Sequence, residues 1–127
     1  MHVPAGWFVV AERALYNGRD RVDTTRGCRQ WTGATDDGGY GMLCLKDHRD
    51  PTVTQWKTYR VHRLVFILAI RQADIPRWID VSHLCHNRLC FQLSHLNLEP
   101  RKINRERTKC NRDRQCRHHV GYPDCLL

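Results

Sequence analysis

Apolar residues recur at helical spacing in one stretch of the chain, between Val61 and Gln72. Val61, Leu64, Val65 and Leu68 form one stripe, which Phe66, Ile67 and Ile70 broaden. This pattern predicts the main core helix over residues 61–72, ended by Ile75-Pro76. A shorter apolar patch at residues 7–15 predicts an amphipathic helix in an N-terminal segment, residues 1–21.

Residues 27–60 carry the pattern of strands rather than helices. Turn residues Gly27 and 36–41 each precede a strand-like run, and residues 52–60 are rich in Thr, Trp and Tyr. We expect one antiparallel sheet of three strands. Alternation on the last strand would place Gln55, Lys57 and Tyr59 on one face, where they can reach DNA bases, with Lys46 at the end of the neighbouring strand. An ordinary solvated face explains the alternation equally well.

A second mixed unit follows at residues 78–108. Residues 78–83 and 96–99 read as strands, separated by a polar loop, and Pro100 reads as the first residue of a helix that reaches about Thr108. That helix carries one apolar residue, Ile103, among cations that we expect to lie along phosphates: Arg101, Lys102, Arg105 and Arg107. The fold class is therefore α+β.

Cysteine and histidine spacing in the loop predicts a metal site. Cys85, Cys90 and His95 stand at equal intervals, and thiolates with an imidazole are the ligands of tetrahedral zinc. The fourth ligand must be Cys28 or Cys44. Cys28 is preferred because it lies in a turn, whereas Cys44 reads as a small buried residue inside a strand.

A second cluster of ligands closes the chain at residues 110–125. Cys110, Cys116, His118 and Cys125 form a compact set, with His119 as a substitute for His118. Four protein ligands leave no open position on a zinc ion, so both sites are expected to be structural.

The chain is basic, with 21 Lys and Arg against 13 Asp and Glu and a net charge of +8. Two zinc–thiolate sites leave it basic, so nucleic acid is the expected partner. The 127 residues predict a single domain. The longest apolar run is far shorter than the roughly 20 residues of a membrane span. Seven cysteines interleaved with histidines and no apolar leader predict an intracellular protein that is not secreted, nuclear in a eukaryotic host.

One histidine, His83, lies beside the first site without belonging to it. An imidazole of near-neutral pKa can take a proton from water during phosphodiester hydrolysis. A histidine next to a zinc loop can equally be a packed core residue.

These residues together resemble the His-Cys box homing endonucleases, a branch of the ββα-metal (HNH-like) nucleases. The residues that carry the resemblance are Ser82-His83-Leu84-Cys85-His86-Asn87, Cys90, Ser94-His95-Leu96, Asn104 and Cys110. The match is specific over residues 82–118 and weaker over 27–41 and 61–63. It implies a ββα-metal core with an antiparallel DNA-binding sheet and two structural zincs.

The resemblance also implies an activity, namely double-strand cleavage of a long, near-palindromic DNA site by a homodimer. At the matching positions, His83 would be the general base and Asn104 would hold one magnesium ion. An arginine would contact the scissile phosphate, with Arg60 preferred over Arg49. The chain lacks the long C-terminal arm of some family dimers, and His118 and Cys125 are widely spaced. The alternative is a DNA-binding module without catalysis; RNA binding is disfavoured because no aromatic stacking platform stands out.

Overall fold

The computed structural model describes residues 5–18, 20–22, 26–46, 56–72 and 75–127, with side chains from residue 6 onward except at 20–22. The helices are α1 (Ala5–Leu15), α2 (Val61–Ile70) and α3 (Arg101–Asp113). The strands are β1 (Asp20–Val22), β2 (Arg29–Trp31), β3 (Met42–Lys46), β4 (Trp56–Arg60), β5 (Ile79–His83) and β6 (Leu96–Pro100). A short 3₁₀ helix, Leu93–His95, precedes β6. Predicted Gln55 and Arg49 lie outside the described residues.

The described strands form three two-stranded antiparallel sheets, β1–β2, β3–β4 and β5–β6. The mixed α+β class is confirmed, but the single three-stranded sheet is wrong, because β2 pairs with β1 and β3 pairs only with β4 among the described strands. β5 and β6 pair from Ile79↔Pro100 to His83↔Leu96, and α3 follows β6 directly. Strand, loop, strand and helix therefore form the ββα unit. No helix in the described part of the chain is both long and apolar enough to cross a bilayer.

The hydrophobic core lies between α1, α2 and the strands. On α1, Trp7, Phe8, Ala11 and Leu15 are buried along one stripe, as a 3.6-residue period requires. Helix α2 buries most of its residues. Arg71, the residue that follows it, caps the helix with a left-handed φ of 54°. Trp31, at the end of β2, donates from Nε1 to the Ala34 carbonyl oxygen at 3.0 Å. A Cβ at Gly41 would lie 2.7 Å from the Trp31 ring, so only glycine fits there.

A buried ion pair joins β6 to α3 and to the C-terminal segment. Arg107 donates to both oxygens of Glu99, at 2.6 and 2.9 Å, and to the Pro123 carbonyl oxygen at 2.8 Å. The two side chains are 2% and 0% exposed. Arg107 is thus not a phosphate contact as predicted from the helix composition; it holds the C-terminal segment onto the ββα unit. Helix α3 also runs to Asp113, beyond the predicted end at Thr108.

Glu99→Gln is expected to lower the free energy of unfolding by about 3 kcal/mol or more, because the Arg107 charge would stay buried without its counterion. Burial alone raises the pKa of Glu99, but hydrogen bonds from Arg107 and Asn97 outweigh it and hold the pKa below its usual value. The contribution of Glu99 is therefore present above the ordinary carboxyl pKa and is lost as the pH falls through the lowered one. Urea unfolding of zinc-loaded protein at neutral and acid pH measures both effects.

The matched control is Glu12→Gln. Glu12 pairs with Arg71 at 2.7 Å on the surface, where both side chains are substantially exposed. Its loss should cost under about 1 kcal/mol. Equal losses in the two variants would contradict the structural role of the buried pair.

Candidate metal clusters and active-site cleft

The first Cys/His cluster forms where β2 packs on the loop between β5 and β6. The backbone N–H of Trp31 donates to Leu89 O, and the N–H of Phe91 donates to Arg29 O, both at 2.9 Å. This short ladder brings Cys28, which precedes β2, to the loop. Cys28, Cys85, Cys90 and His95 then offer one ligand atom each, all within 4.8 Å of one another. Cys28 is in place as predicted. Cys44 is exposed, and the prediction of a buried Cys44 is wrong.

The spacing of these ligand atoms fits zinc. The Cys28 and Cys90 sulfurs lie 3.5 and 3.7 Å from His95 Nδ1. Metal–ligand bonds of about 2.0–2.3 Å in a tetrahedron give ligand–ligand edges of roughly 3.5–3.8 Å. Three sulfurs and one imidazole are also the soft donor set that zinc prefers. The cluster can hold a closed, four-coordinate zinc ion.

Hydrogen bonds and burial set the ionisation of the thiols in this cluster. A hydrogen bond from Cys90 lowers the pKa of Cys85 to about 4, and the same contact raises the pKa of Cys90. Burial raises the pKa of Cys28. One thiolate is therefore stable without a metal, and a divalent cation is what allows three thiolates to lie together.

The second cluster uses His119 and not His118. Cys110, Cys116, His119 and Cys125 place their ligand atoms within 4.8 Å of one another. His119 Nε2 lies 3.7 Å from Cys110 Sγ and 3.8 Å from Cys125 Sγ, which again fits the tetrahedral edges of zinc. The predicted His118 side chain is 80% exposed, whereas that of His119 is 1% exposed. His118 has a left-handed φ of 62°, which turns the next residue inward.

Hydrogen bonds orient both histidines of this segment. Glu106 lies 3.0 Å from His119 Nδ1, so Nδ1–H donates to the carboxylate and Nε2 is left for the metal. His118 instead contacts Asp124 Oδ1 at 2.9 Å, and that carboxylate raises the pKa of His118. Burial raises the pKa of Cys125 to about 12. Burial also raises the pKa of Cys116, but hydrogen bonds from the Cys125 and His118 N–H groups and from the Cys125 side chain together outweigh it and lower the pKa to about 7.

A cleft of about 310 Å³ lies between the ends of β4 and β5 and helix α3. It brings together all three residues predicted for catalysis: His83, Asn104 and Arg60. Four further arginines line it: Arg63, Arg88, Arg101 and Arg107. Buried Glu99 balances the charge of Arg107, but the other arginines exceed the lining carboxylate Asp80 and make the cleft cationic. A polyanion is the ligand that such a cleft favours.

His83 ends β5, and its ring is fixed in one tautomer. Its Nε2 lies 2.9 Å from the Cys90 carbonyl oxygen. A carbonyl oxygen can only accept, so Nε2 carries the hydrogen and Nδ1 keeps a lone pair. Burial lowers the pKa of His83, which favours the neutral ring. The side chain is therefore held in the form of a base.

Asn104 lies on the first turns of α3, facing β5. Its Oδ1 accepts a hydrogen bond from Ser82 Oγ at 2.9 Å, and its Nδ2 donates to Asp80 Oδ2 at 3.1 Å. The amide oxygen has a second lone pair, and amide and carboxylate oxygens are hard ligands that magnesium accepts. The donor set here fits a magnesium ion with few protein ligands.

Arg60 reaches the cleft from the end of β4. It contacts Asp36 Oδ2 at 3.2 Å, and its guanidinium lies 4.9 Å from the centre of the Tyr40 ring. The side chain is 51% exposed, so its donors remain accessible to a phosphate. Arg63 has another task, because it donates to the carbonyl oxygens of Ile79 and Ile75.

The sequence did not single out two aromatic residues of the cleft. The Tyr40 ring stacks on the rings of His62 and His83, and these two imidazoles are tilted against each other with their centres 4.5 Å apart. Burial lowers the pKa of His62 to about 2, so this ring stays neutral. His62 is the second residue of α2, and Tyr40 lies in a glycine-rich turn. In the sequence, only the resemblance of Val61-His62-Arg63 to the family pointed to this part of the cleft.

On β4, the residues that face outward are not the predicted Lys57 and Tyr59 but the residues that alternate with them. Tyr59 is 5% exposed and packs in the core, and the Lys57 amine lies 5.0 Å from its ring. These two residues share the inner side with Leu43 and Leu45. The outward side carries Lys46, Trp56, Thr58 and Arg60, and Trp56 is 63% exposed. Of the predicted contacts among described residues, only Lys46 faces outward.

Two curated proteins of Escherichia phage T7 are similar to this chain. Protein 2.8 is 28% identical over 99 residues, which are 78% of this chain and 58% of that protein. Protein 7.7 is 29% identical over 79 residues, which are 62% of this chain and 52% of that protein. The chain thus spans little more than half the length of each. No solved structure matches it significantly.

Residues 28–125 match the model of the family described as "Zinc-binding loop region of homing endonuclease". The matched range begins at the first ligand of the first cluster and ends at the last ligand of the second. It covers well over half of the chain, which confirms the resemblance to His-Cys box homing endonucleases. The chain belongs to this homing-endonuclease zinc-loop family and forms a nuclease-type domain.

Proposed function

We propose that this protein is a magnesium-dependent, site-specific DNA endonuclease. The observation that carries the proposal is the convergence of His83, Asn104 and Arg60 on one cationic cleft. A binding surface alone would need the cations but neither an imidazole held with an open lone pair nor an amide oxygen lining the same cleft. The family membership supports the same reaction class.

His83 acts as the general base. Its Nδ1 lone pair takes the proton of the attacking water, while Nε2–H stays bonded to the Cys90 carbonyl oxygen and stabilises the imidazolium that forms. Water oxygen bonds to phosphorus, the bond from phosphorus to the leaving 3′ oxygen breaks, and that oxygen takes a proton from solvent water to become a hydroxyl. Arg60 contacts the phosphate and offsets the charge that develops on it.

Asn104 is the residue that would hold magnesium, through Oδ1. When bound, the cation supplies Lewis-acid stabilisation of the phosphate and of the leaving oxygen. The protein contributes few ligands because magnesium keeps most of its waters and takes phosphate oxygens from the substrate.

DNA lies along the outward face of β3–β4 and the exposed side of α3. Lys46 and Trp56 are cross-strand partners on that face, and Arg60 connects it to the cleft. The exposed cations of α3 supply phosphate contacts: Arg101, Lys102, Arg105 and Lys109. Because one cleft cuts one strand, a double-strand break at a near-palindromic site requires two copies of the chain related by a two-fold axis.

The proposal is tested with zinc-loaded protein and a randomised DNA library, with magnesium and with EDTA. Enrichment of one cut sequence in magnesium only, as linear duplex product, supports an endonuclease that breaks both strands. Binding of one sequence without any cut in magnesium would identify a non-catalytic DNA-binding module instead. Neither cleavage nor sequence-specific binding would refute both functions.

Asn104→Ala should reduce cleavage about 100-fold or more at physiological magnesium, because the lost cation contributes several kcal/mol to the transition state. The rate of cutting of the selected site, measured against magnesium concentration, checks this. Asn17→Ala makes the same chemical change at an exposed position after α1 and should cut like the parent. An unchanged magnesium profile in Asn104→Ala would remove Asn104 from the cation site.

A further inference from the structure

The Asn104 amide can serve a cation in only one of its two orientations. Rotation by 180° exchanges Oδ1, which is a ligand, with Nδ2, which is a donor and cannot bind a cation. Something in the site must therefore select the orientation. Two side chains contact the two ends of the amide, Ser82 at the oxygen and Asp80 at the nitrogen.

Strand geometry explains why both contacts come from β5. Residues two apart on a strand share a face, so Asp80 and Ser82 both lie on the side of β5 that contacts Asn104 of α3. Asp80 also lines the cleft and pairs with Arg101 Nε at 3.5 Å. This ion pair orients the carboxylate, which leaves its other oxygen for Asn104 Nδ2.

The two contacts differ in selectivity. A hydroxyl both donates and accepts, so Ser82 can bond either end of the amide. It also contacts the Glu99 carboxylate, whose pKa it lowers, and its single hydrogen cannot serve both acceptors fully. An ionised carboxylate only accepts, so Asp80 bonds the NH₂ end and rejects the oxygen.

We propose that Asp80 is a positioning residue that fixes the Asn104 amide with its oxygen available to the divalent cation, while Arg101 holds Asp80 in place. This inference rests on the proposed function. Asp80 is assigned no bond to the cation; it acts through Asn104.

The test measures cation binding rather than cleavage. Mn²⁺ is titrated into a complex of zinc-loaded His83→Gln protein with the selected DNA, and free Mn²⁺ is followed by electron paramagnetic resonance. Asp80→Ala should weaken Mn²⁺ binding about tenfold or more. Asp80→Asn carries an amide that can bond either end of Asn104, so it should weaken Mn²⁺ binding as well. Unchanged binding in Asp80→Ala overturns the proposal.

Two further results separate positioning from other roles. If Asp80→Asn binds Mn²⁺ as tightly as the parent, the acceptor-only carboxylate is not what selects the amide orientation, and the proposal is wrong. A symmetric carboxylate has no orientation to select, so in an Asn104→Asp background Asp80→Ala should no longer weaken Mn²⁺ binding. A tenfold loss that persists in the Asn104→Asp background also overturns the proposal. Zinc content and circular dichroism verify the folding of each variant.

Failure of the proposed function gives a different result. In that case the His83→Gln complex itself binds no Mn²⁺, and the unsubstituted protein cuts no DNA in magnesium. A parent that binds Mn²⁺ with or without help from Asp80 leaves the nuclease proposal standing, and only the comparison of variants decides the role of Asp80.

Discussion

Cys28→Ser is expected to lose one of two bound zinc ions per chain and to leave the protein largely unfolded at 25 °C. Cys28, Cys85 and Cys90 form a small buried cluster separate from the main core, and the loop between β5 and β6 contains only one short 3₁₀ helix. Structural zinc contributes an apparent 10–16 kcal/mol in small domains, about as much as the whole stability of a typical domain. Atomic emission for zinc and circular dichroism during urea unfolding measure the two effects.

Cys44→Ser is the matched control. Cys44 is exposed on β3 and belongs to neither cluster among the described residues. We expect this variant to keep both zinc ions and to unfold within about 0.5 kcal/mol of the parent, as ordinary surface substitutions do. If Cys44→Ser loses zinc while Cys28→Ser keeps both zinc ions, then Cys44 and not Cys28 is the fourth ligand of the first cluster.

The same measurement separates the adjacent histidines of the second cluster. His119→Ala should lose the second zinc ion, while His118→Ala should keep it and lose only the exposed contact with Asp124. The opposite result would restore the ligand set predicted from the sequence.

The sequence alone does not decide between these two histidines. Spacing brings either imidazole within reach of Cys110, Cys116 and Cys125, so ligand chemistry alone cannot choose. The choice is made by the backbone, because His118 adopts a left-handed φ and Glu106 is placed to accept from His119 Nδ1. A local pattern of residue types contains neither fact.

The predicted outward face of β4, with Lys57 and Tyr59, is wrong for a related reason. Alternation correctly divides Lys57 and Tyr59 from Trp56 and Thr58, but it does not say which side meets the core. The pairing with β3 decides this, because Leu43 lies opposite Tyr59 and Leu45 lies opposite Lys57. The apolar alternation of Leu43 and Leu45 was a usable signal, since partners across a sheet share a face.

Other parts of the fold followed from local physics. The apolar residues from Val61 to Ile70 recur at helical spacing, so a helix places them on one face that packs in the core, and α2 forms there. The first cluster was also predictable, because three of its ligands lie within one loop. Only the family resemblance points to Asn104, because a lone asparagine on a polar helix gives no signal and its significance depends on contacts with β5.

His83→Gln is expected to reduce cleavage of the selected DNA site by about 10²–10⁴-fold, the usual contribution of a general base. Glutamine is preferred to alanine because its side-chain amide can still donate to the Cys90 carbonyl oxygen, which would otherwise lose its partner in a buried site. Glutamine cannot take a proton from water. The variant therefore removes the base and retains the hydrogen bond that orients it.

Single-turnover cleavage in magnesium, together with DNA affinity in EDTA and zinc content, measures this effect. We expect affinity and zinc content to match the parent, because His83 is no metal ligand and the DNA-facing cations are untouched. His118→Gln makes the same substitution at an exposed histidine and should cut at the parent rate. Parent-level cutting by His83→Gln would show that another group accepts the proton, and the neighbouring His62, whose buried Nδ1 has no hydrogen-bond partner among the described residues, would then be the first residue to substitute.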